Sequence, residues 1–275
     1  MKIRLFLSRY NREEDRTWTQ QIVLDTAVLG QDAARATVAT ALTYLNAHIG
    51  EISDTDGHPV KRIAWDCGCL QKRCGACAMV IDGRPRLACD ARLSEFADKG
   101  SVTIGPLKKF PLVEDLIVDR SVMRENLARY RAWLAANERK EGRAQDRGPD
   151  ASGQSAQQTR LDAYEGSRCL QCGLCLEVCP NFYAGGEFFG TALAVPAARL
   201  LALTGKDRRR LSDDMNATDA DAAVHAAHLR KGYRKHIYEG CGKSLACRNI
   251  CPAGIHIDEL LARNVRRMSR RGALL

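Results

Sequence analysis

The feature that most constrains this chain is where its cysteines fall. Twelve cysteines stand in 275 residues: five between Cys67 and Cys89, four between Cys169 and Cys179, and three between Cys241 and Cys251. A disulfide framework has no reason to crowd its cysteines in this way, and disulfides belong mainly to exported chains. The opening stretch MKIRLFLSRYNREEDR has neither an apolar core segment nor a small-residue cleavage site, so it reads as a first strand rather than an export signal. Thiolates this dense are what metal centres require.

The first group is Cys69-x4-Cys74-x2-Cys77 followed by Cys89, the spacing of a plant-type 2Fe-2S site. Each iron takes two thiolates, so the loop from 69 to 77 wraps the centre and Cys89 reaches back from the following strand. Gly68 and Gly75 lack a Cβ, which lets the backbone fold tightly and aim N–H groups at the sulfurs. A structural zinc in a four-cysteine site is the competing reading. Cys67 is left over and reads as a plain thiol.

The second group, Cys169-x2-Cys172-x2-Cys175-x3-Cys179-Pro180, is the bacterial ferredoxin run, whose fourth cysteine serves the other of two clusters. The third, Cys241-x5-Cys247-x3-Cys251-Pro252, is the same run with one position missing: Ser244 stands where a cysteine belongs. Crossing over then assigns Cys169, Cys172, Cys175 and Cys251 to a 4Fe-4S centre. Cys179, Cys241 and Cys247 remain, three thiolates for a 3Fe-4S centre. A Ser244 alkoxide holding a fourth iron is the alternative, weakened because a hydroxyl is far harder to deprotonate than a thiol.

Around these groups the pattern alternates and then turns helical. Residues 2–10 and 19–25 alternate apolar and polar as a strand pair, and Val38, Leu42, Leu45 and Ile49 recur at helical spacing before Gly50, a candidate helix stop. Residues 78–81 and 86–89 flank the tight turn Asp82-Gly83, and 101–105 is a last strand. This is an α+β order with a cluster held in a loop. Residues 116–136 read as a helix, and 138–158 change to linker composition. The Ala- and Leu-rich remainder reads as all-α. The expected division is a sheet domain over 1–110, a connecting helix and linker over 111–160, and a helical domain over 161–275.

No run approaches eighteen apolar residues, so no segment is expected to span a bilayer, and the cytoplasm is the default compartment. The formal charge of +9 is concentrated in part at Arg263, Arg266, Arg267, Arg270 and Arg271. That stretch reads either as a solvated helix end or as a contact for lipid headgroups or a partner. Nucleic acid is not an expected ligand, because basic residues are not interleaved with aromatics. His225 and His228 stand one helical turn apart, but nothing beside them in sequence completes a metal site. No nucleophile–base pair and no GxGxxG loop is present, so no catalytic residue is expected in this chain and FAD, where used, belongs to a partner.

In motif order the chain resembles the iron–sulfur subunits of the succinate dehydrogenase/fumarate reductase family: the C-x4-C-x2-C…C group, then CLQCGLCLEVCP, then C-x5-C-x3-CP, with Phe110–Ser121 resembling a family segment between them. The resemblance implies an N-terminal plant-type ferredoxin β-grasp domain and a C-terminal all-α bacterial-ferredoxin-like domain. It implies a relay from the FAD of a flavoprotein subunit that interconverts succinate and fumarate, through 2Fe-2S, 4Fe-4S and 3Fe-4S clusters, to a quinone at membrane anchor subunits, with or without haem. It also implies a peripheral position on the cytoplasmic face of the cell membrane. Quinone-linked members often carry a tryptophan shortly after Pro180 and a histidine after the first cysteine of the third group. Here the chain reads Pro180-Asn-Phe-Tyr183 and Cys241-Gly242, so the polar neighbours left for a quinone are Tyr183, Lys243 and Ser244 beside Pro180. Two rivals follow: a sister subunit serving another unsaturated acid or a non-quinone partner, and a free-standing ferredoxin-like carrier or metal-binding protein.

Overall fold

Strict alternation builds the first hairpin. In β1 (Lys2–Asn11) Ile3, Leu5, Leu7 and Arg9 point to one buried face, and in the antiparallel β2 (Arg16–Asp25) Gln20, Ile22 and Leu24 meet them. Leu5 pairs with Ile22 and Ile3 with Leu24, so the register buries apolar against apolar. Helix α1 (Val38–Ala47) starts at a capping box in which the Thr37 and Thr40 hydroxyls each accept from the other's backbone N–H at 3.2 Å. Its Val38, Ala39, Ala41, Leu42 and Leu45 are buried. The helix stops sooner than its apolar spacing implies: His48 is the cap, Ile49 is exposed, and Gly50 lies one residue further on.

The computed structural model describes residues 1–30, 35–133, 156–203 and 217–269. Strands β3 (Ala78–Ile81), β4 (Arg84–Leu87) and β5 (Ser101–Gly105) complete a five-stranded mixed sheet in the order β2-β1-β5-β3-β4, with β1 and β5 parallel. This is the β-grasp arrangement expected. The chain falls into two compact units, Met1–Arg120 with Leu170–Val178, and Ser121–Cys169 with Cys179–Leu275.

Residues 116–136 are not one helix. A hairpin of β6 (Leu112–Glu114) and β7 (Ile117–Val118) comes first, turned by Asp115 at φ 43°, and α2 spans only Ser121–Arg129. The reason is Asp115 itself. Its buried carboxylate accepts from Arg9 Nε (3.0 Å), Tyr10 N (3.0 Å) and Ala64 N (2.9 Å), which holds the segment in a turn that a helix would break. Arg9 explains its own place on the apolar face: it also donates to Gln20 Oε1 and to the carbonyls of Lys61 and Arg62. The expected linker lies mostly outside the described residues.

The second unit is helical, as its composition implies. Among its described helices are α3 (Ala156–Ser167), α5 (Thr191–Leu203), α6 (Ala217–Tyr233), α7 (Ala246–Ile250) and α8 (Ile257–Ser269); the short α4 (Leu174–Glu177) belongs to the first unit. Its core joins Tyr130, Phe189, Leu193, Ala197, Leu229 and Tyr233. Helices α3 and α5 cross closely at Gly166, where a Cβ would lie 2.7 Å from Arg199 Cβ and 2.9 Å from the Val195 carbonyl.

The arginine-rich end is neither a solvated surface nor a free contact patch at two of its positions. Asp162, fully buried on α3, lies 2.7 Å from Arg263 Nε and 2.8 Å from Arg267 Nη2, and Arg267 is itself buried. Arg266 is exposed, while Arg270 and Arg271 lie outside the described residues. Among the described residues no helix is long and apolar enough to cross a membrane.

Candidate metal centres

The loop carrying Cys69, Cys74 and Cys77 is shaped for sulfur. Leu70 and Lys72 adopt left-handed backbone angles (φ 53° and 60°), as does Gly75 at 75°. These turns aim backbone N–H groups inward: Gln71 and Arg73 donate to the Cys69 sulfur at 3.3 Å, Cys69 to the Cys74 sulfur at 3.4 Å, and Lys72 to the Cys89 sulfur at 3.2 Å. Cys89 sits in a 3-10 turn, Ala88–Asp90, directly after β4 and not on the strand. The Ala88 N–H binds the Cys77 carbonyl at 2.9 Å and fixes the two cysteines together.

The four sulfurs come as two pairs. Cys77 and Cys89 are 3.4 Å apart, and Cys69 hydrogen-bonds to Cys74. A tetrahedral zinc with Zn–S bonds of about 2.3 Å would gather all four at mutual distances of roughly 3.8 Å; no trio of cysteine sulfurs within 4.8 Å occurs among the described residues. Two pairs fit two irons. The pairs differ in environment: the N–H groups of Gln71 and Arg73 draw the Cys69 thiol down to about 7, while burial pushes Cys77 up to about 12. Cys67 is exposed and outside both pairs.

Cys172 and Cys175 of the second group lie in the first unit, with the loop that carries Cys69, Cys74 and Cys77. A Cβ on Gly75 would come within 2.7 Å of Cys172 Cβ, so the two cysteine loops touch there. Arg120, within the Phe110–Ser121 stretch, bolts them together. It donates to the carbonyls of Gly75, Ala76 and Cys172 and pairs with Asp66. Glu177 adds a second tie by accepting from the Lys108 and Lys109 N–H groups. Sequence reasoning missed both roles, since nothing local marks an arginine whose partners are backbone carbonyls some fifty residues away.

In the second unit, Cys179, Cys241 and Cys247 line one cleft with Pro180, Lys243, Ser244 and Thr191. Lys243 and Leu245 adopt left-handed angles (φ 56° and 58°) and bend the chain around Ser244. Burial pushes the Cys247 thiol up, a hydrogen bond from Thr191 pulls it down, and the charges of Cys179 and Cys241 push it up again. The three sulfurs therefore share one neighbourhood. Tyr183 does not line this cleft; it is 67% exposed, its ring against Gly186. His225, buried, bonds through Nε2 to the Arg131 carbonyl, a packing role.

Residues 4–125 match the family model described as a 2Fe-2S iron–sulfur cluster binding domain, and residues 165–255 match that of a 4Fe-4S dicluster domain. The succinate dehydrogenase iron–sulfur subunit of Bacillus subtilis is 32% identical over 206 residues, 75% of this chain and 72% of the relative. The fumarate reductase iron–sulfur subunit of Mycobacterium tuberculosis is 30% identical over 220 residues, 79% of this chain and 75% of the relative. A solved structure of the Mycobacterium smegmatis Sdh1 complex in the apo form contains a chain of like fold, with a TM-score of 0.65 at 22% identity and 98% and 97% of the two chains covered. Two cluster domains in this order, and relatives of both kinds aligned along most of their length, place the chain in the succinate dehydrogenase/fumarate reductase iron–sulfur subunit family, the electron-transfer subunits of these oxidoreductases.

Proposed function

We propose that the chain relays single electrons between the FAD of a flavoprotein subunit interconverting succinate and fumarate and a quinone at a membrane anchor, from a peripheral position on the cytoplasmic face. Cys69 with Cys74, and Cys77 with Cys89, hold the two irons of a 2Fe-2S cluster. Cys169, Cys172, Cys175 and Cys251 hold a 4Fe-4S cluster, and Cys179, Cys241 and Cys247 a 3Fe-4S cluster. When bound, these groups supply one-electron steps between partners that each exchange two electrons. The protein's share is spacing and tuning. Backbone N–H groups stabilise the sulfurs of the first site, and Arg120 keeps its loop against Cys172.

The observation that supports the reading is the contact of Gly75 with Cys172, which puts the loop of the first cysteine group against Cys172 of the second within one compact unit. A relay needs that adjacency, whereas independent structural metal sites do not. The test is purification of the native complex followed by succinate-driven reduction of a quinone analogue. A copurifying flavoprotein and quinone reduction support the proposal. Succinate turnover without quinone reduction would sink its quinone end.

A second reading of the acceptor is favoured by two residues. Gly242 follows Cys241, and Tyr183, the aromatic hydroxyl after Pro180, stands away from the cleft. A thiol, disulfide or other non-quinone partner would then take electrons beside Lys243 and Ser244. Reduction of such a partner by the same complex, with no response to quinone analogues, separates the two.

A further inference from the structure

The two later cysteine runs are tied to each other by two side chains that the ligand assignment leaves unused. Asn181 stands two residues after Cys179, and its Nδ2 donates to the carbonyl of Gly240, the residue before Cys241, at 2.7 Å. A Cβ on Gly242, on the other side of Cys241, would lie 3.2 Å from the same Nδ2. One amide therefore lies against both neighbours of Cys241, and Asn181 lines the cleft with Cys179, Cys241 and Cys247.

Arg168, directly before Cys169, makes the matching tie at the opposite ends of the runs. Its Nη2 donates to the carbonyl of Ala253, two residues after Cys251, and its Nη1 donates to the Glu165 carboxylate at 3.0 Å. A guanidinium is a rigid planar fork, so the carboxylate on one arm fixes the direction of the other. Arg168, Asn181 and both acceptor carbonyls belong to the second unit. Because each acceptor is a main-chain carbonyl, each bond holds a stretch of backbone rather than another side chain. Two runs that each closed on themselves would join the flanks of Cys169 and Cys179, and those of Cys241 and Cys251. The bonds present join the start of one run to the end of the other.

We propose that Arg168 and Asn181 are positioning residues that impose the crossed sharing of cysteines between the two later centres: Arg168 brings Cys251 to Cys169, and Asn181 brings Cys179 to Cys241. The inference rests on the assignment of Cys169 and Cys251 to one centre and of Cys179, Cys241 and Cys247 to the other. Each residue acts through the cysteine near it and not on iron.

The test removes one tie at a time in the anaerobically purified holoprotein. Asn181→Asp keeps the side-chain shape but replaces the donor with an acceptor, and Arg168→Met keeps an apolar stem without the fork. Loss of each centre to an added iron chelator is followed by EPR, the three-iron signal in oxidised samples and the four-iron signal after reduction. Losing an outer-shell partner costs a metal site roughly 10–100-fold in affinity, so Asn181→Asp is expected to lose the three-iron centre about tenfold faster than the parent. Its four-iron centre should leave at the parental rate, and Arg168→Met should show the reverse. Parental rates for both centres in either variant, or equal acceleration of both, overturns the proposal. Should either variant fail to fold, Asn181→Ala or Arg168→Lys takes its place under the same criteria. A parent protein with no three-iron signal would overturn the ligand assignment and the inference with it, and is told apart because it needs no variant.

Discussion

Gly75 carries two demands at once. Its φ of 75° lies in the left-handed region, and a Cβ there would press to 2.7 Å on the Cβ of Cys172. Gly75→Ala should therefore cost more than the ~1–2 kcal/mol of left-handed backbone strain alone, and the cost falls where the first cysteine loop meets the second. Expected are a lower 2Fe-2S content by visible absorbance and a lower unfolding temperature; full occupancy with unchanged unfolding would show that the loops are not in contact. Ser244 is the second telling position, since it lines the cleft with the three cysteines of its site. Ser244→Cys should replace the oxidised-state three-iron EPR signal with a reduced-state four-iron one. Persistence of the three-iron signal would mean that 244 does not face the open corner. The two cluster-binding domains were legible because iron chemistry fixes the spacing of cysteines along the chain. The role of Arg120 was not, because its partners, the carbonyls of Gly75 and Cys172, are far away in sequence.

The strands of the sheet could be read from alternation because one face of each is buried, and α1 could be read from its apolar spacing. What escaped were elements governed by buried charge. Arg9 occupies an apolar register position in β1, and its partner Asp115 turns a segment that helical periodicity alone would continue. The same holds for α8, where arginines that look solvent-facing converge on Asp162, about a hundred residues earlier. Asp162→Ala should remove the buried carboxylate that Arg263 and Arg267 share, a loss of ~3–5 kcal/mol. Arg266→Ala, on the exposed side of the same helix, should change stability by no more than about 0.5 kcal/mol. Urea unfolding of both variants checks this, and equal midpoints would contradict the internal role of the helix.

Across the whole molecule, the cysteines stand in three groups, and the chain belongs to a family of electron-transfer subunits. The loop of the first cysteine group meets Cys172 at Gly75 in one unit, and Cys179, Cys241 and Cys247 line a cleft with Ser244 in the other. On the proposed assignment each site sets its own iron count: two pairs of sulfurs for two irons, and three sulfurs beside Ser244 for three. If all three centres form and each carries one electron, a low-temperature EPR redox titration of the anaerobically purified protein should show it. Expected are a three-iron signal in the oxidised state and, on reduction, a 2Fe-2S signal joined by that of a single 4Fe-4S centre. Two four-iron centres and no three-iron signal would refute the assignment of Cys179, Cys241 and Cys247.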